Sequence, residues 1–338
     1  MSTQRLAQVA EMAGVSTTTV SRVLNGNRDV APATREAVLT AVDVCGFERP
    51  VEFRKERAQL VGLVVPDLQN PVFSAAAEAL AGLLNGQGLV PVLCTRTADG
   101  VSESHYVDML LGQNVGGIVF VGASYTDIGE AQGRELRRRA IPVVLVNPAD
   151  ENPGVAQVSV DDAGAAEQAL AHLSALGHER IGMIVGPSGH VPSVRKLAGY
   201  AAFNARRGVP AGEWRPLVAH ALFSMEGGAT AIAQLLPRGV TAVVCASDAL
   251  ALGAIRGARR RGLGVPAELS VVGFDDSLFM VATDPPLTTS RQPVAAMASA
   301  AAQFLSEQIR TGVGLSAEIL FDTELIVRSS TAPPSPGR

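Results

Sequence analysis

The sequence predicts an α/β protein in which a small N-terminal three-helix module precedes a two-lobed core of doubly wound parallel sheets. Two observations predict these two parts. The first 57 residues hold eight Lys or Arg and seven Asp or Glu in short periodic segments. Beyond them, apolar β-rich runs alternate with alanine-rich stretches of helical length. The remaining length, about 275 residues, is generous for one such sheet and favours two lobes.

Residues 1–49 are the first predicted domain and contain three short helices. Apolar residues recur at helical spacing in the first helix, at Leu6, Val9, Ala10 and Ala13. Gly14 ends that helix, Ser16 is the candidate N-cap of a second helix over 17–25, and Pro32 opens a third over 32–45. A helix, a glycine-containing turn and a second helix with polar residues at its start predict a helix-turn-helix, whose second helix enters a DNA major groove.

The second helix carries candidate DNA-binding residues. The candidate base contacts are Thr17, Thr18 and Arg22, and the candidate phosphate contacts are Ser16, Ser21 and Asn25. An arginine can bind guanine through two hydrogen bonds, and threonine offers a hydroxyl or a methyl group to a base. The alternative is a solvated three-helix packing module. Residues 1–50 balance five Arg against five acidic residues, so they predict no strong non-specific attraction to DNA.

The core, residues 61–330, is predicted from apolar runs separated by helix-length segments. We expect strands at 60–65, 90–95, 117–121, 142–147, 155–160, 180–186, 241–246 and 269–274, and helices at 75–84, 163–176 and 250–261. The first lobe is expected to comprise about 61–160 and 291–320, and the second about 161–290 and 321–330. Residues 331–338 are rich in Pro and are predicted to be a disordered tail.

Ligands of open parallel sheets bind beyond the carboxyl ends of the strands, so the polar and aromatic residues there are binding-site candidates. In the first lobe they are Asp67, Asn70, Phe73, Arg96 and Asn147. In the second lobe they are residues 188–196, which end at Lys196, followed by Ser247, Asp248, Asp275 and Asp276. One of the two adjacent aspartates is expected to cap a helix. Polar groups that converge between two lobes predict a small polyhydroxylated or otherwise polar ligand.

The sequence gives little support to other classes of protein. It contains no phosphate-binding loop, HExxH motif or GxSxG nucleophile turn, and its five histidines lack metal-ligand spacing. We therefore expect no enzyme activity, no metal and no cofactor. The longest uncharged stretches are interrupted by Asn, Gln, Gly and Pro, which argues against a membrane span. The N-terminal residues lack the apolar segment of a secretion signal, and three well-separated cysteines predict reduced, buried thiols in the cytoplasm.

Several motifs carry a family resemblance. The run AGVSTTTVSRVLN, residues 13–25, resembles the DNA-binding headpiece of the LacI/GalR family of bacterial transcription regulators. Four later runs are similar to that family in order and spacing: VGLVVPDLQNPVF, LSALGHERIGMIVGP, RKLAGY and LSVVGFDDSLFMVATDPPLTTSRQPV. The resemblance covers residues 6–329, and its headpiece motif is highly specific. It implies a DNA-binding headpiece and a core like that of periplasmic binding proteins.

The resemblance also implies roles for residues between the lobes. Asp275 is expected to face the ligand, with Phe73 and Phe223 in apolar contact with it. Lys196, in RKLAGY, stands where the family usually has Arg, and a single ammonium group cannot reproduce the paired donors of a guanidinium group. The neighbouring Arg195 is a candidate substitute, although adjacent helical residues face different directions.

The segment between the predicted domains, residues 50–60, departs from the family pattern. The family usually has a short helix here, whose Leu wedges into the minor groove and bends the operator. In this chain the segment lacks the Asn and both Ala of that pattern and is about four residues shorter than in the family. Arg57 stands near the place of the Leu. Two interpretations remain open. In one, Arg54, Lys55 and Arg57 bind phosphates or a narrow minor groove. In the other, Glu52 and Glu56 pair with these basic residues at helical spacing, and the segment is a solvated linker.

Together these observations predict a cytoplasmic, sequence-specific transcription regulator, a repressor, that acts as a homodimer on a roughly palindromic site in double-stranded DNA. One headpiece reads only a few base pairs, so useful specificity needs two half-sites. A sugar-like or nucleoside-like effector between the lobes is expected to shift a two-state equilibrium. The alternatives are an effector-independent repressor with a vestigial cleft, and a cytoplasmic solute-binding protein, against which the headpiece argues.

Overall fold

The computed structural model describes residues 3–24, 30–45, 59–95, 102–122, 128, 130–149 and 154–335. The chain divides into two compact units, Met1–Gln59 and Leu60–Arg338. In the described part, no helix is both long enough and apolar enough to cross a lipid bilayer.

The first unit contains the three predicted helices, α1 (Thr3–Ala13), α2 (Thr17–Leu24) and α3 (Pro32–Val44). Gly14 has φ of +63°, a left-handed conformation that favours glycine and allows the tight turn between α1 and α2. The Ser16 hydroxyl accepts a hydrogen bond from the Thr19 N–H at 3.1 Å, so Ser16 is the N-cap of α2. The core consists of small apolar side chains from all three helices: Val9, Ala10, Val20, Val23, Val38, Leu39, Ala41 and Val42.

The second unit is built of strands that alternate with helices. The strands are β1 (Gln59–Val65), β2 (Leu89–Thr95), β3 (Gly117–Val121), β4 (Val143–Val146), β5 (Ala156–Val160), β6 (Ile181–Val185), β7 (Val218–His220), β8 (Ala242–Cys245), β9 (Ser270–Asp275), β10 (Thr288–Arg291), β11 (Glu318–Phe321) and β12 (Glu324–Ile326). The helices are α4 (Pro71–Gly86), α5 (Glu103–Gly112), α6 (Glu130–Arg138), α7 (Asp162–Ala175), α8 (Val191–Arg206), α9 (Ala211–Trp214), α10 (Met225–Leu235), α11 (Asp248–Arg259) and α12 (Val294–Thr311).

These strands form two six-stranded sheets, one in each lobe. The first has the order β11-β5-β4-β3-β1-β2 and the second the order β12-β10-β9-β8-β6-β7. Every residue of β3 and of β6 is buried, as expected for central strands of a sheet that helices cover on both faces. The predicted α/β class with doubly wound parallel sheets is confirmed, and β12 adds one antiparallel edge strand, on β10.

The chain crosses between the two lobes three times. It leaves the first lobe after β5 to form α7, returns after β10 to form α12, and crosses again between β11 and β12. α12 packs against the first sheet through Met297, Ala301 and Leu305. The crossing segments are neighbours: the Asp161 N–H donates to the Phe321 carbonyl, and Arg291 of β10 pairs with Glu324 of β12.

Two predictions about the core were incomplete or wrong. Strands β7, β10, β11 and β12 were not predicted, because none of them is a buried apolar run: β7, β11 and β12 have mostly exposed or half-buried residues, and β10, with sequence TTSR, is polar. The predicted disordered tail is ordered through Ser335: Ala332 donates its N–H to Ser270 Oγ at 3.0 Å, and its carbonyl accepts from His178 Nε2 at 2.9 Å. Proline-rich backbone can still form such bonds wherever a residue retains its N–H.

The cysteines are free thiols, as predicted. Cys94 and Cys245 are buried, whereas Cys45 is only half-buried at the end of α3.

Candidate functional site

The exposed face of α2 presents the predicted base contacts. Val20 and Val23 are fully buried and fix the helix on the core of the first unit. Thr17, Thr18 and Arg22 are exposed to solvent. Helical periodicity therefore separates the face that holds α2 in place from the face that is free to meet a partner.

The predicted phosphate contacts have different surroundings. Ser16 is exposed at the start of α2, where its hydroxyl also lies 2.9 Å from Thr19 Oγ1. Ser21 is half-buried. Asn25, Arg54 and Arg57 lie outside the described residues, as does the whole predicted linker except its last two residues.

A cavity of about 1440 Å³ lies between the two lobes of the second unit. It exceeds the range of about 300–1000 Å³ that is common for small-molecule sites. The predicted residues that line it are Asp67, Asn70, Phe73 and Asn147 from the first lobe, and most of residues 188–196, including Lys196, with Phe223, Asp248 and Asp275 from the second. Arg96 lies outside the described residues. The strand ends therefore do converge on one cavity, as the rule for open parallel sheets predicts.

Ser247 was predicted to face the ligand, and this prediction was wrong. Its side chain is buried and is not among those that line the cavity. Its hydroxyl accepts the Leu250 N–H at 3.2 Å, so Ser247 is the N-cap of α11. Asp248, the first residue of α11, lines the cavity instead, because adjacent residues at a helix start face in different directions.

Lys196 forms a buried ion pair with Asp162 on the wall of the cavity. The Lys196 ammonium contacts Asp162 Oδ1, and the two side chains are 5% and 2% exposed. The same ammonium lies 3.6 Å from the centre of the Phe274 ring, a cation–π geometry. Burial raises the pKa of Asp162, and the positive charge of Lys196 acts in the opposite direction.

Two further carboxylates lie on the second-lobe side of the cavity. Asp248 accepts hydrogen bonds from Ser277 N and Ser277 Oγ, both at 2.8 Å, and from Thr289 Oγ1 at 2.7 Å. Burial raises its pKa to about 6. Burial also raises the pKa of Asp275 well above the usual range, and the nearby charge of Asp248 adds to the effect. Asp275 has φ of +120°, a strained conformation for a residue with a side chain.

A chain of side-chain hydrogen bonds links the two lobes. Asn147 donates to Gln292 Oε1 at 2.8 Å, and Gln292 donates to Asp275 Oδ1 at 2.6 Å. Asn70, at the N-terminus of α4, also bonds to Asp275 through its side chain. Asp275 of the second lobe is thus held by Asn70 of the first lobe and by Gln292 on a crossing segment. A ligand that binds Asp275 would contact groups that both lobes position.

Asp276 has a structural role that differs from the predicted helix cap. No helix begins at Asp275 or Asp276, since residues 276–283 form a loop after β9. Asp276 instead pairs with Arg291 at 2.7 Å and with Arg328 at 2.6 Å. These pairs tie β9 to the neighbouring strand β10 and to the segment after β12.

Aromatic and apolar side chains form the outer part of the cavity. Phe223 is 39% exposed and packs edge-on against His190, with ring centres 5.0 Å apart. Burial lowers the pKa of His190 to about 4, and the charge of Lys196 contributes. Phe279 and Leu68, which lie on opposite lobes, also line the cavity and are exposed. The site is polar at its floor and apolar near solvent.

Two direct contacts join α8 to the first lobe. Arg195 donates to both carboxylate oxygens of Glu318 on β11, at 2.7 and 3.2 Å. The Val191 N–H donates to the Ala149 carbonyl at 2.8 Å. Arg195 therefore does not line the cavity in place of Lys196; it points to the first lobe instead.

Two polar residues of this site were not predicted from the sequence. Asp162 precedes its partner Lys196 by 34 positions, and Gln292 follows the unpredicted strand β10. His190 lies within the predicted stretch 188–196. His178 is buried against Thr241, Ser270 and Ala332, away from the cavity. Among the described residues, no group of three His, Cys, Asp or Glu could hold a metal ion.

Two family models match the chain. A model described as bacterial regulatory proteins, lacI family, matches residues 5–49, and one described as a periplasmic binding protein-like domain matches residues 170–331.

Similar proteins extend over both units. The HTH-type transcriptional regulator MalR of Streptomyces coelicolor is 46% identical over 334 residues, which cover 98% of this chain and 97% of MalR. A transcriptional regulator CelR–cellobiose complex matches with a TM-score of 0.72 and 32% identity, over 96% of this chain and 99% of that chain. The lac repressor dimer bound to operator and the anti-inducer ONPF matches with a TM-score of 0.72 and 28% identity, over 96% and 98%.

Proposed function

Because this chain belongs to the lacI family of bacterial regulatory proteins and is a DNA-binding transcription regulator, we propose which of its surfaces carry each part of that function. The exposed face of α2 reads the operator, and the cavity between the lobes binds a small polar effector. The protein is proposed to act as a repressor in the cytoplasm, without enzymatic activity of its own.

The observation that carries the DNA-binding proposal is the solvent exposure of Thr17, Thr18 and Arg22 on a helix whose opposite face is buried. An arginine on such a helix can donate two hydrogen bonds to guanine O6 and N7. Ser16 and Ser21 are proposed phosphate contacts. Asn25, Arg54 and Arg57 remain candidates from the sequence.

The effector proposal rests on buried carboxylates that face an open cavity. Asp248 and Asp275 are 2% and 8% exposed. Keeping such groups out of water costs free energy that a merely structural wall of apolar side chains would avoid. A vestigial cleft would need no buried carboxylates on its wall, so we favour an effector-binding cleft. Asn70, Asn147, Lys196 and Gln292 supply further polar contacts, and Phe73 and Phe223 supply apolar ones.

A sugar-like effector fits these groups better than a nucleoside. Carboxylates and amides suit vicinal hydroxyl groups, and aromatic side chains suit the apolar face of a pyranose ring. The cellobiose in the CelR complex is a ligand of this chemistry in a similar protein.

A homodimer is proposed because a single headpiece reads too few base pairs for specificity. The lac repressor structure, which is similar over 96% of this chain, is a dimer on its operator. Leu83 of α4 and Val90 and Leu93 of the edge strand β2 are large, exposed apolar residues that suit such an interface.

The test is a selection of bound fragments from genomic DNA with the purified full-length chain. We expect enrichment of a palindromic site with two half-sites, and titration of that site at fixed salt should show binding as a dimer. Addition of cellobiose, glucose or uridine then tests release. Failure to enrich any sequence would contradict the DNA-binding role of α2, and operator binding that no sugar or nucleoside alters would favour an effector-independent repressor.

A further inference from the structure

Lys196 is the one Lys or Arg among the described residues that line the cavity between the lobes. Its ammonium group is in contact with the Asp162 carboxylate, and both side chains are almost fully buried. The positive charge is therefore compensated by the protein itself before any ligand arrives. A buried cation that already has its anion has little to gain from a second one.

The fold holds this pair in place. Asp162 is the first residue of α7, and Lys196 lies in the second turn of α8. The two helices approach closely because Gly199 of α8 has no side chain, and a Cβ there would collide with the Ala163 carbonyl. The Phe274 ring covers the ammonium from another side, at 3.6 Å. Contacts on two sides, with Asp162 and with Phe274, therefore hold the Lys196 ammonium in this position.

Among the described residues that line the cavity, the other charged side chains are carboxylates. The neighbouring Arg195 does not line the cavity and pairs with Glu318 of the first lobe. Asp248 is held by three neutral donors and Asp275 by amide donors, so neither has a cationic partner of its own within hydrogen-bond distance. A phosphate or carboxylate group on a ligand would meet these carboxylates, with no uncompensated cation among the described residues of the lining. A hydroxyl group would instead find donors and acceptors together, because it can accept from Lys196 and donate to a carboxylate.

We propose that Asp162 is a specificity-determining residue: by neutralising Lys196, it makes the cleft select an uncharged, polyhydroxylated effector and reject phosphorylated or carboxylated ones. This inference rests on the proposed effector role of the cleft. Asp162 can exclude charged ligands in this way without contacting the ligand itself.

The test uses Asp162→Asn in the full-length protein with inorganic phosphate as the probe, at constant ionic strength. The amide keeps the shape of the carboxylate and removes its charge, so Lys196 is left uncompensated. We expect calorimetric titration to give a Kd for phosphate at least tenfold lower than in the wild type. The gain should disappear in the double variant Asp162→Asn, Lys196→Met.

Glu167→Gln is the matched control, because Glu167 lies on the same helix as Asp162 and pairs with Arg206 of α8 on the protein surface. This change also removes a carboxylate from an α7–α8 ion pair, but it leaves the cavity unaltered. We expect no gain in phosphate binding.

Two results would overturn the proposal. One is wild-type phosphate binding that Lys196→Met abolishes, since Lys196 would then be available to anions despite Asp162. The other is a folded Asp162→Asn variant without tighter phosphate binding. If Asp162→Asn does not fold, the affinities of wild type and Lys196→Met for glucose and for glucose 6-phosphate are measured instead. Equal affinity of the wild type for these two sugars would refute the selection against charge. Absence of operator release by any neutral ligand would refute the effector role separately.

Discussion

The two functional surfaces hold their polar groups in opposite ways. On α2, Thr17, Thr18 and Arg22 extend into solvent from a helix that a few valines fix in place. In the cleft, Asp248 is 2% exposed and accepts three hydrogen bonds from its own protein. An exposed group contributes to partner binding with little effect on folding, whereas a buried and bonded group affects both. Substitutions should therefore separate stability from binding on α2 and couple them in the cleft.

The largest effect is expected for Asp248→Ala. The change leaves two donors of Ser277 and one of Thr289 without their acceptor in a buried site, at a cost of about 3 kcal/mol or more. We expect the free energy of unfolding of the second unit to fall by that amount, measured by urea denaturation followed by circular dichroism. Effector binding should weaken at the same time.

Asp248→Asn is the control for this prediction, because the amide oxygen can still accept while the charge is lost. It should cost less than Asp248→Ala. Equal stability of wild type and Asp248→Ala would show that these hydrogen bonds contribute nothing to the fold, and the contrast with α2 would be lost.

Arg22→Ala should give the next largest effect, on DNA binding alone. Loss of a bidentate contact to guanine is expected to cost about 1–3 kcal/mol of operator affinity at fixed salt. The thermal unfolding temperature should stay within error of the wild type, because the Arg22 side chain is exposed. Fluorescence anisotropy with the selected operator and with a scrambled duplex measures the two affinities.

Arg22→Lys tests whether the contact is bidentate. Lysine keeps the charge but offers no guanidinium fork, so it should recover non-specific binding and little of the specificity. Full recovery of specificity by lysine would contradict a bidentate contact and assign Arg22 to the phosphates.

Arg195→Gln should have a smaller effect, on the relation between the lobes. The bridge to Glu318 is bidentate but about one-third exposed on each side, so we expect it to contribute about 1 kcal/mol or less. The interlobe distance distribution, measured by spin labels on the two lobes, should shift away from the wild-type arrangement. The charge reversal Arg195→Glu with Glu318→Arg should restore that distribution, and no shift in either single variant would show that the bridge does not hold the lobes.

The smallest expected effect is a pH dependence from His190. Its pKa in the folded protein is lowered to about 4 from an ordinary 6.5, so the unfolded chain binds the proton first as the pH falls. The contribution of His190 to stability is thus present above pH 6.5 and lost as the pH falls to about 4. Between these values, unfolding free energies should decline less steeply for His190→Gln than for wild type.

The stability that Asp248 contributes depends on pH in the opposite direction, so the two residues can be compared within one protein. The pKa of Asp248 is raised to about 6, so the pH-dependent part of its contribution to stability is present below its ordinary value of 3.8 and lost as the pH rises through about 6. His190→Gln leaves that contribution unchanged. Identical pH profiles for wild type and His190→Gln would show that His190 is not desolvated in the folded protein.

The same contrast explains what the sequence could predict. The exposed face of α2 follows from local periodicity, since Val20 and Val23 alone decide which residues face outward. The cleft residues Asn70, Lys196 and Asp275 follow from their places near strand ends, which parallel topology brings together. The prediction for Ser247 was wrong, because the direction of a side chain at the start of a helix depends on the cap that it forms. Asp162 and Gln292 were missed, because their partners come from distant parts of the chain and leave no local pattern.

The three crossings between the lobes limit the motion that any effector can use. Two bodies tied by three short neighbouring segments cannot slide or separate, and the soft motion left to them is a rotation about the line of those segments. A ligand at Asp275 and a substitution at Arg195 would then both change the same rotation. One measured angle should therefore rank effectors and variants on a single scale.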